Sequence, residues 1–217
     1  MKYESGNRTK HKIFYSSERL FYENGYENTT VDKINKSTVT TKSSFYLHYQ
    51  NKLELGMLVN NSLMRSISMI SSLFGSGIDE VISFCLEIET FWYVFFQDEN
   101  IKRFIIDLSN EDIIKLSNNK NIFNICLKAS DKNFSNNEFK YLKMAIKGIG
   151  KQMIMDSYAK LDKYTYECTS NMYLIFLFKL FDFDTDKIDQ ILTETNHLFS
   201  KCLITNNRFY VTCCYKD

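Results

Sequence analysis

Apolar residues in the first third of the chain recur at helical spacing. In residues 9–24 (TKHKIFYSSERLFYEN), Ile13, Phe14, Leu20 and Phe21 share one stripe, and Gly25 follows as a helix stop. The segment TTVDKINKS comes next. Thr29 or Thr30 is a candidate cap, Val31 and Ile34 lie one turn apart, and Asp32 suits the positive end of a helix dipole. After a break around 37–40, a third short helix is predicted from Lys42 to Leu47. Asn51 is then a good N-cap for a long amphipathic helix from Lys52 to about Ser72, carrying Leu55, Leu58, Val59, Leu63, Ile67 and Ile70. The second and third helices are joined by about four residues, which is helix-turn-helix spacing.

The pattern shifts at LFGSGIDE, where Gly75, Ser76 and Gly77 break the helix and Asp79 can cap the next one. Beyond it, helices are predicted near 79–97, 99–108, 111–129, 137–161, 165–181 and 186–204, separated by Asn-rich joints. The tail after Asn206 has no helical period. Two segments are apolar on more than one face: VISFCLEIETFWYVFF, interrupted by Glu87 and Glu89, and MYLIFLF, which stops at Lys179. Neither is long and uncharged enough for a membrane span.

Composition supports the helical pattern. The 217 residues include no Pro and only 7 Gly, whereas sheet-rich folds recruit both at their turns. A hydrophobic content of 44% is enough for a packed core. The excess of Asn, Lys, Ile, Phe and Tyr is what an AT-rich genome produces. The N-terminus MKYESGNRTKHK has no apolar core of a signal peptide, so a cytoplasmic chain is expected. The six cysteines are scattered, with no C-x-x-C and no histidine pair beside them, so no metal site and no cofactor is expected.

Charge is unevenly spread. Residues 1–52 hold 9 Lys+Arg against 5 Asp+Glu, while the other 165 residues hold 18 against 21. A cationic N-terminal module on a slightly anionic body suits a polyanionic partner.

TTKSSFYLHYQNK, residues 40–52, concentrates the candidate chemistry. A helix that reads DNA presents short polar groups from its first turn, because long side chains there hold it out of the groove. Thr41, Lys42, Ser43 and Ser44 meet that demand. Tyr46, His48 and Lys52 offer hydroxyl, imidazole and ammonium groups to phosphates. Free backbone N–H groups at the start of the long helix add to these. Phe45 and Tyr49 are expected to face inward and fix the short helix on a small core.

Residues 20–55, LFYENGYENTTVDKINKSTVTTKSSFYLHYQNKLEL, resemble the N-terminal domain of TetR-family transcriptional regulators. Leu20, Phe21, Gly25, Tyr26, Thr29, Thr30, Val31, Ile34, Phe45, Tyr46, His48, Tyr49, Lys52 and Leu55 fall in register without a gap. The resemblance implies an all-α protein with a three-helix helix-turn-helix domain (1–52) and a larger helical ligand-binding and dimerisation domain (53–217). It also implies that Thr30, Tyr46, His48 and Lys52 contact phosphate, and that Thr41, Lys42 and Ser43 reach bases or nearby phosphates. Thr38-Val39-Thr40 replaces the family's Ala-Gly-Val, and Asn35 replaces an Ala. The replaced Gly usually adopts positive φ, where a β-branched Val is strained.

For the rest of the chain the resemblance implies a homodimer and an effector pocket. Residues 137–161 and 165–181 are expected to form most of the dimer interface, with 186–204 beside them. Gly148 and Gly150 suggest close helix–helix approach. Trp92, Tyr93, Phe96, Phe123 and Tyr141 are the candidate effector contacts, within a wider aromatic set that includes Phe91, Phe95, Phe104, Met144 and Tyr158. The expected function is a dimeric repressor released from a palindromic double-stranded DNA operator by a small apolar effector. The alternative is a TetR-shaped protein with a degenerate helix-turn-helix, working through protein–protein contacts. No paired carboxylates, nucleophile elbow, P-loop or H-x-x-x-H is present, so the chain is not expected to be an enzyme.

Overall fold

In the computed structural model the residues described are 2–75, 77–111, 122–130, 132–159 and 164–216; for 2–5, 122–123 and 158–159 the description is limited to the backbone. They form α1 (Lys2–Asn24), α2 (Val31–Thr38), α3 (Lys42–His48), α4 (Lys52–Ser68), a 3-10 segment (Met69–Phe74), α5 (Glu80–Gln97), α6 (Glu99–Asn110), α7 (Ile122–Ala129), α8 (Asn136–Ala159), α9 (Tyr166–Leu180) and α10 (Thr185–Ser200). An antiparallel hairpin of β1 (Cys202–Asn207) and β2 (Tyr210–Tyr215) closes the chain. The fold is an all-helical helix-turn-helix protein with a larger helical part and one small hairpin appended.

The N-terminal helices start and stop where local chemistry directs them. Gly25 ends α1 at φ +84. Thr30 caps α2 by accepting from Lys33 N at 3.2 Å, and Thr41 caps α3 by accepting from Ser44 N at 3.1 Å. Asn51 caps α4 through Glu54 N at 2.8 Å. Each cap satisfies an amide that the first helical turn leaves without a partner. Ile13, Phe21, Ile34, Phe45, Leu55 and Val59 are all fully buried and make one small core. Gly56 lets α4 approach Tyr26, since a Cβ there would lie 2.8 Å from the Tyr26 ring.

α5 is the axis of the larger part and packs against α9, α10, α6, α4 and α7. Its apolar residues run almost all round the helix, which only an enclosed helix tolerates. Trp92, Phe91 and Phe95 are buried along it.

Two expectations are corrected. The helix expected to run to residue 204 stops at Ser200, and the tail folds back as the hairpin. Inward Cys202, Ile204, Phe209 and Val211 are buried, while Leu203, Thr205, Tyr210 and Thr212 face out. The two-residue loop needs a left-handed position, which Arg208 fills at φ 52 instead of the usual Gly or Asn. α1 begins at Lys2, a full seven residues earlier than periodicity marks, because its first turns are polar. Gly148 is exposed, and a Cβ there would meet nothing within 4 Å, so no close helix approach occurs at that position within this chain. Part of the helix expected over 111–129 lies outside the described residues; α7 supplies its second half.

The hairpin is anchored between the two parts of the molecule. Phe209 lies against Phe104 of α6 (ring centroids 4.5 Å) and Tyr22 of α1 (5.7 Å). Val211 N donates to Ser66 Oγ of α4 at 3.0 Å. Asp98 Oδ2 accepts from both Tyr22 Oη (2.8 Å) and Asn206 Nδ2 (2.7 Å).

Candidate nucleic-acid interface

The turn between α2 and α3 carries every departure from the family pattern, and the structure shows how it is built. Val39 adopts φ 54, ψ 46 at the end of α2, and its backbone N–H reaches the carbonyls of Asn35 and Lys36. The left-handed conformation that suits Gly is therefore taken by a β-branched residue, at a cost of about 1–2 kcal/mol. A side-chain network surrounds it. Thr40 Oγ1 donates to Asn35 Oδ1 at 3.0 Å, Thr38 Oγ1 and Thr40 Oγ1 lie 2.7 Å apart, and Thr38 Oγ1 donates to Ile34 O at 2.9 Å. Asn35, Thr38 and Thr40 thus act together to hold the turn. Asn35 Nδ2 is buried without a partner among the described residues.

α3 sits on this turn with Phe45 and Tyr49 inward, at 0% and 3% exposure. Tyr49 Oη donates to Lys10 O of α1 at 3.0 Å, and burial pushes its phenol up to about 12. Thr41, Lys42, Ser43 and Tyr46 are exposed on the other side, with Ser44 and His48 half-buried. Thr30, also exposed, spends its lone pair on Lys33 N, which leaves its O–H free to donate. Five of the seven predicted DNA contacts are therefore open to solvent, and His48 is partly so. Lys42 is not idle there: its ammonium pairs with Asp32 of α2 at 3.1 Å, an exposed pair that a phosphate can displace.

Lys52 is placed differently. Its Nζ donates to Tyr26 O at 2.9 Å and lies 4.0 Å from the Tyr26 ring centroid. Burial lowers its pKa, against the opposing pull of Glu111, Asp107 and Glu27. It braces α4 on the loop after α1, and its partner stands 26 residues away, beyond the reach of a local pattern.

The four effector candidates whose side chains are described do not converge. Trp92 is enclosed core, 1% exposed, and Phe96 stacks obliquely on it at 6.4 Å. Tyr93 points to α9 and α10, with edge contacts to Tyr166 and Phe199. Tyr141 is 70% exposed on α8, and the Phe123 side chain lies outside the described residues. Aromatic periodicity marks a buried face but cannot separate a filled core from a cavity. A cleft of about 500 Å³ instead opens between α5 and α7, with Ser83, Phe84 and Glu87 on one wall and Asn124, Ile125 and Lys128 on the other. Burial pushes the Glu87 carboxyl up to about 7. Nearby on α5, Glu89 is 3% exposed and its Oε2 has no hydrogen-bond partner among the described residues. Burial, assisted by Glu167, pushes its carboxyl up to about 8.

Residues 13–55 match the family described as bacterial regulatory proteins, tetR family. The likeness to that family covers this N-terminal module alone. A curated relative, the biofilm operon icaADBC HTH-type negative transcriptional regulator IcaR of Staphylococcus epidermidis, is 48% identical over 46 residues, 21% of this chain. The match spans only a quarter (25%) of that relative's length. Solved TetR-like structures align more widely at low identity. NalD, the secondary repressor of the MexAB-OprM multidrug efflux pump in Pseudomonas aeruginosa, is 16% identical, with 81% of this chain and 96% of that one covered and a TM-score of 0.47. Native TylP, a TetR regulator from Streptomyces fradiae, is 15% identical, with 91% and 94% covered and a TM-score of 0.47. No described helix of this chain is long and apolar enough to cross a membrane.

Proposed function

We propose that the chain is a homodimeric DNA-binding transcriptional repressor that places α3 in the major groove twice, on a palindromic operator. The observation that carries this is the two-sided construction of α3. Large rings fix one side of it, while Thr41, Lys42, Ser43 and Tyr46 stand in water on the other. Two such helices about 34–36 Å apart match one turn of B-DNA. The strained turn at Val39 is braced by Asn35, Thr38 and Thr40, which favours a working helix-turn-helix over a degenerate one.

Dimerisation is assigned to α8 and α9. Met172, Ile175 and Phe176 form an exposed apolar line on α9, and Tyr141 and Met144 another on α8. Apolar lines of this kind call for a partner surface. The cleft between α5 and α7 is the candidate effector site. Its mixed lining of Phe84 and Ile125 with Glu87 and Lys128 suits an amphiphilic effector. Such a ligand releases DNA only to the extent that it prefers the displaced state; a 100-fold drop in DNA affinity takes about 2.7 kcal/mol of preference.

The test is selection of duplexes from a random pool by the full-length protein, followed by titration against salt. The expected result is a palindromic site whose affinity falls steeply with salt, and which Lys42→Ala and Tyr46→Phe bind more weakly while circular dichroism is unchanged. Selection of no site, or unchanged binding by both variants, removes α3 from the reading role.

A further inference from the structure

Leu47 has no place in the role of α3 described so far. It is 79% exposed, the second most exposed large apolar side chain among the described residues after Val39 at 88%. Helix geometry explains its direction. Successive residues turn by about 100°, so with Phe45 and Tyr49 facing the core, Leu47 points almost directly away from it. Ser43 lies one turn earlier on the same outward line. On the proposed reading of α3, these two side chains enter the groove deepest.

Leucine has neither a donor nor an acceptor. In the major groove the edges of G, C and A offer only polar groups, whereas T adds a C5-methyl group. Leucine set against a polar edge strips water from it and returns no hydrogen bond; against the methyl it buries apolar surface on both partners. We propose that Leu47 is a specificity-determining residue that selects thymine through its C5-methyl group, once in each half-site of the operator. Val39, on the turn immediately before α3, extends the same apolar surface toward the groove wall. This assignment rests on α3 being the recognition helix, and adds to it the class of base pair that the helix demands.

The experiment uses full-length wild-type protein and Leu47→Ala. Duplexes are first selected with the wild type. Each thymine of the selected site is then replaced in turn by deoxyuridine, which lacks only the methyl group, and a cytosine at the responsive position is compared with 5-methylcytosine. The expected result is one thymine per half-site whose replacement weakens wild-type binding roughly fourfold, the loss of one buried methyl group. The 5-methylcytosine duplex is expected to bind better than its cytosine counterpart. Leu47→Ala should be indifferent to both changes and keep its thermal midpoint, since the side chain is mostly in water. Equal binding of thymine and deoxyuridine duplexes by the wild type overturns the assignment. Equal sensitivity in wild type and Leu47→Ala also overturns it, and places the methyl contact on another residue. Failure to select any site overturns the recognition-helix reading itself, a result distinct from the other two.

Discussion

The helix-turn-helix module and the helical body solve the same burial problem with different redundancy. The module has little interior, so each ring counts: Phe21 lies 5.3 Å from Tyr26, and Phe45 6.0 Å from Tyr49, and the starts of α2, α3 and α4 are each capped by a side chain. The body has surplus apolar surface. It encloses most of α5, yet leaves Met172, Ile175 and Phe176 in water and Glu89 Oε2 buried without a hydrogen-bond partner among the described residues. A small core admits few sequence solutions, and a large one admits many. The module therefore keeps a legible motif, while the body carries imperfections that point to partners.

That contrast can be broken at its most sensitive point. Phe45→Ala should destabilise the module by about 3–5 kcal/mol, the usual loss for a buried aromatic ring. Hydrogen exchange should then accelerate through α1–α3 while α5 and α9 stay protected. Uniform acceleration across the chain would mean that the two parts are one cooperative unit.

In the body the largest effect is expected at Glu89. Its folded pKa of about 8 lies above the ordinary 4.5, so the folded chain holds a proton that the unfolded chain releases between those values. Stability contributed by the neutral acid is complete below pH 4.5 and is lost as pH rises through about 8. Glu89→Gln should remove that slope and be more stable than wild type by on the order of 3 kcal/mol at pH 8. Denaturant midpoints across pH 5–9 would measure it; parallel curves for the two proteins would show that Glu89 finds a partner in solution.

Next in size is the exposed line on α9. Phe176→Ser should raise the dimer dissociation constant about 10–30-fold, some 1.4–2 kcal/mol, and leave monomer stability nearly unchanged. Analytical ultracentrifugation would read it; an unaltered constant moves the interface elsewhere.

The smallest effect sharpens the module's side of the contrast. Val39→Gly relieves a left-handed β-branched residue at an 88% exposed position, so little burial is lost. A gain of about 1 kcal/mol is expected, visible in the thermal midpoint.

Legibility followed the same divide. The N-terminal helices could be read because caps and apolar spacing agree: Thr30, Asn51 and Asp79 all cap where the pattern puts them. The second role of Lys52 was not legible, because the carbonyl that its ammonium group meets stands 26 residues away. Leu47 was passed over because exposed leucine leaves no periodic trace. The effector candidates are hard to read for a different reason, since Trp92 and Phe96 show the same aromatic spacing whether they line a void or fill one. The hairpin stayed hidden because its strands are six residues each and its turn uses Arg208 where a glycine or asparagine would have announced it.

The hairpin makes Asp98 a shared hinge pin. Its carboxylate holds Tyr22 of α1 and Asn206 of β1 at the same oxygen, while Phe209 touches both Tyr22 and Phe104 of α6. A shift of α6 would therefore reach α1 and the strand pair together, through one carboxylate and one ring.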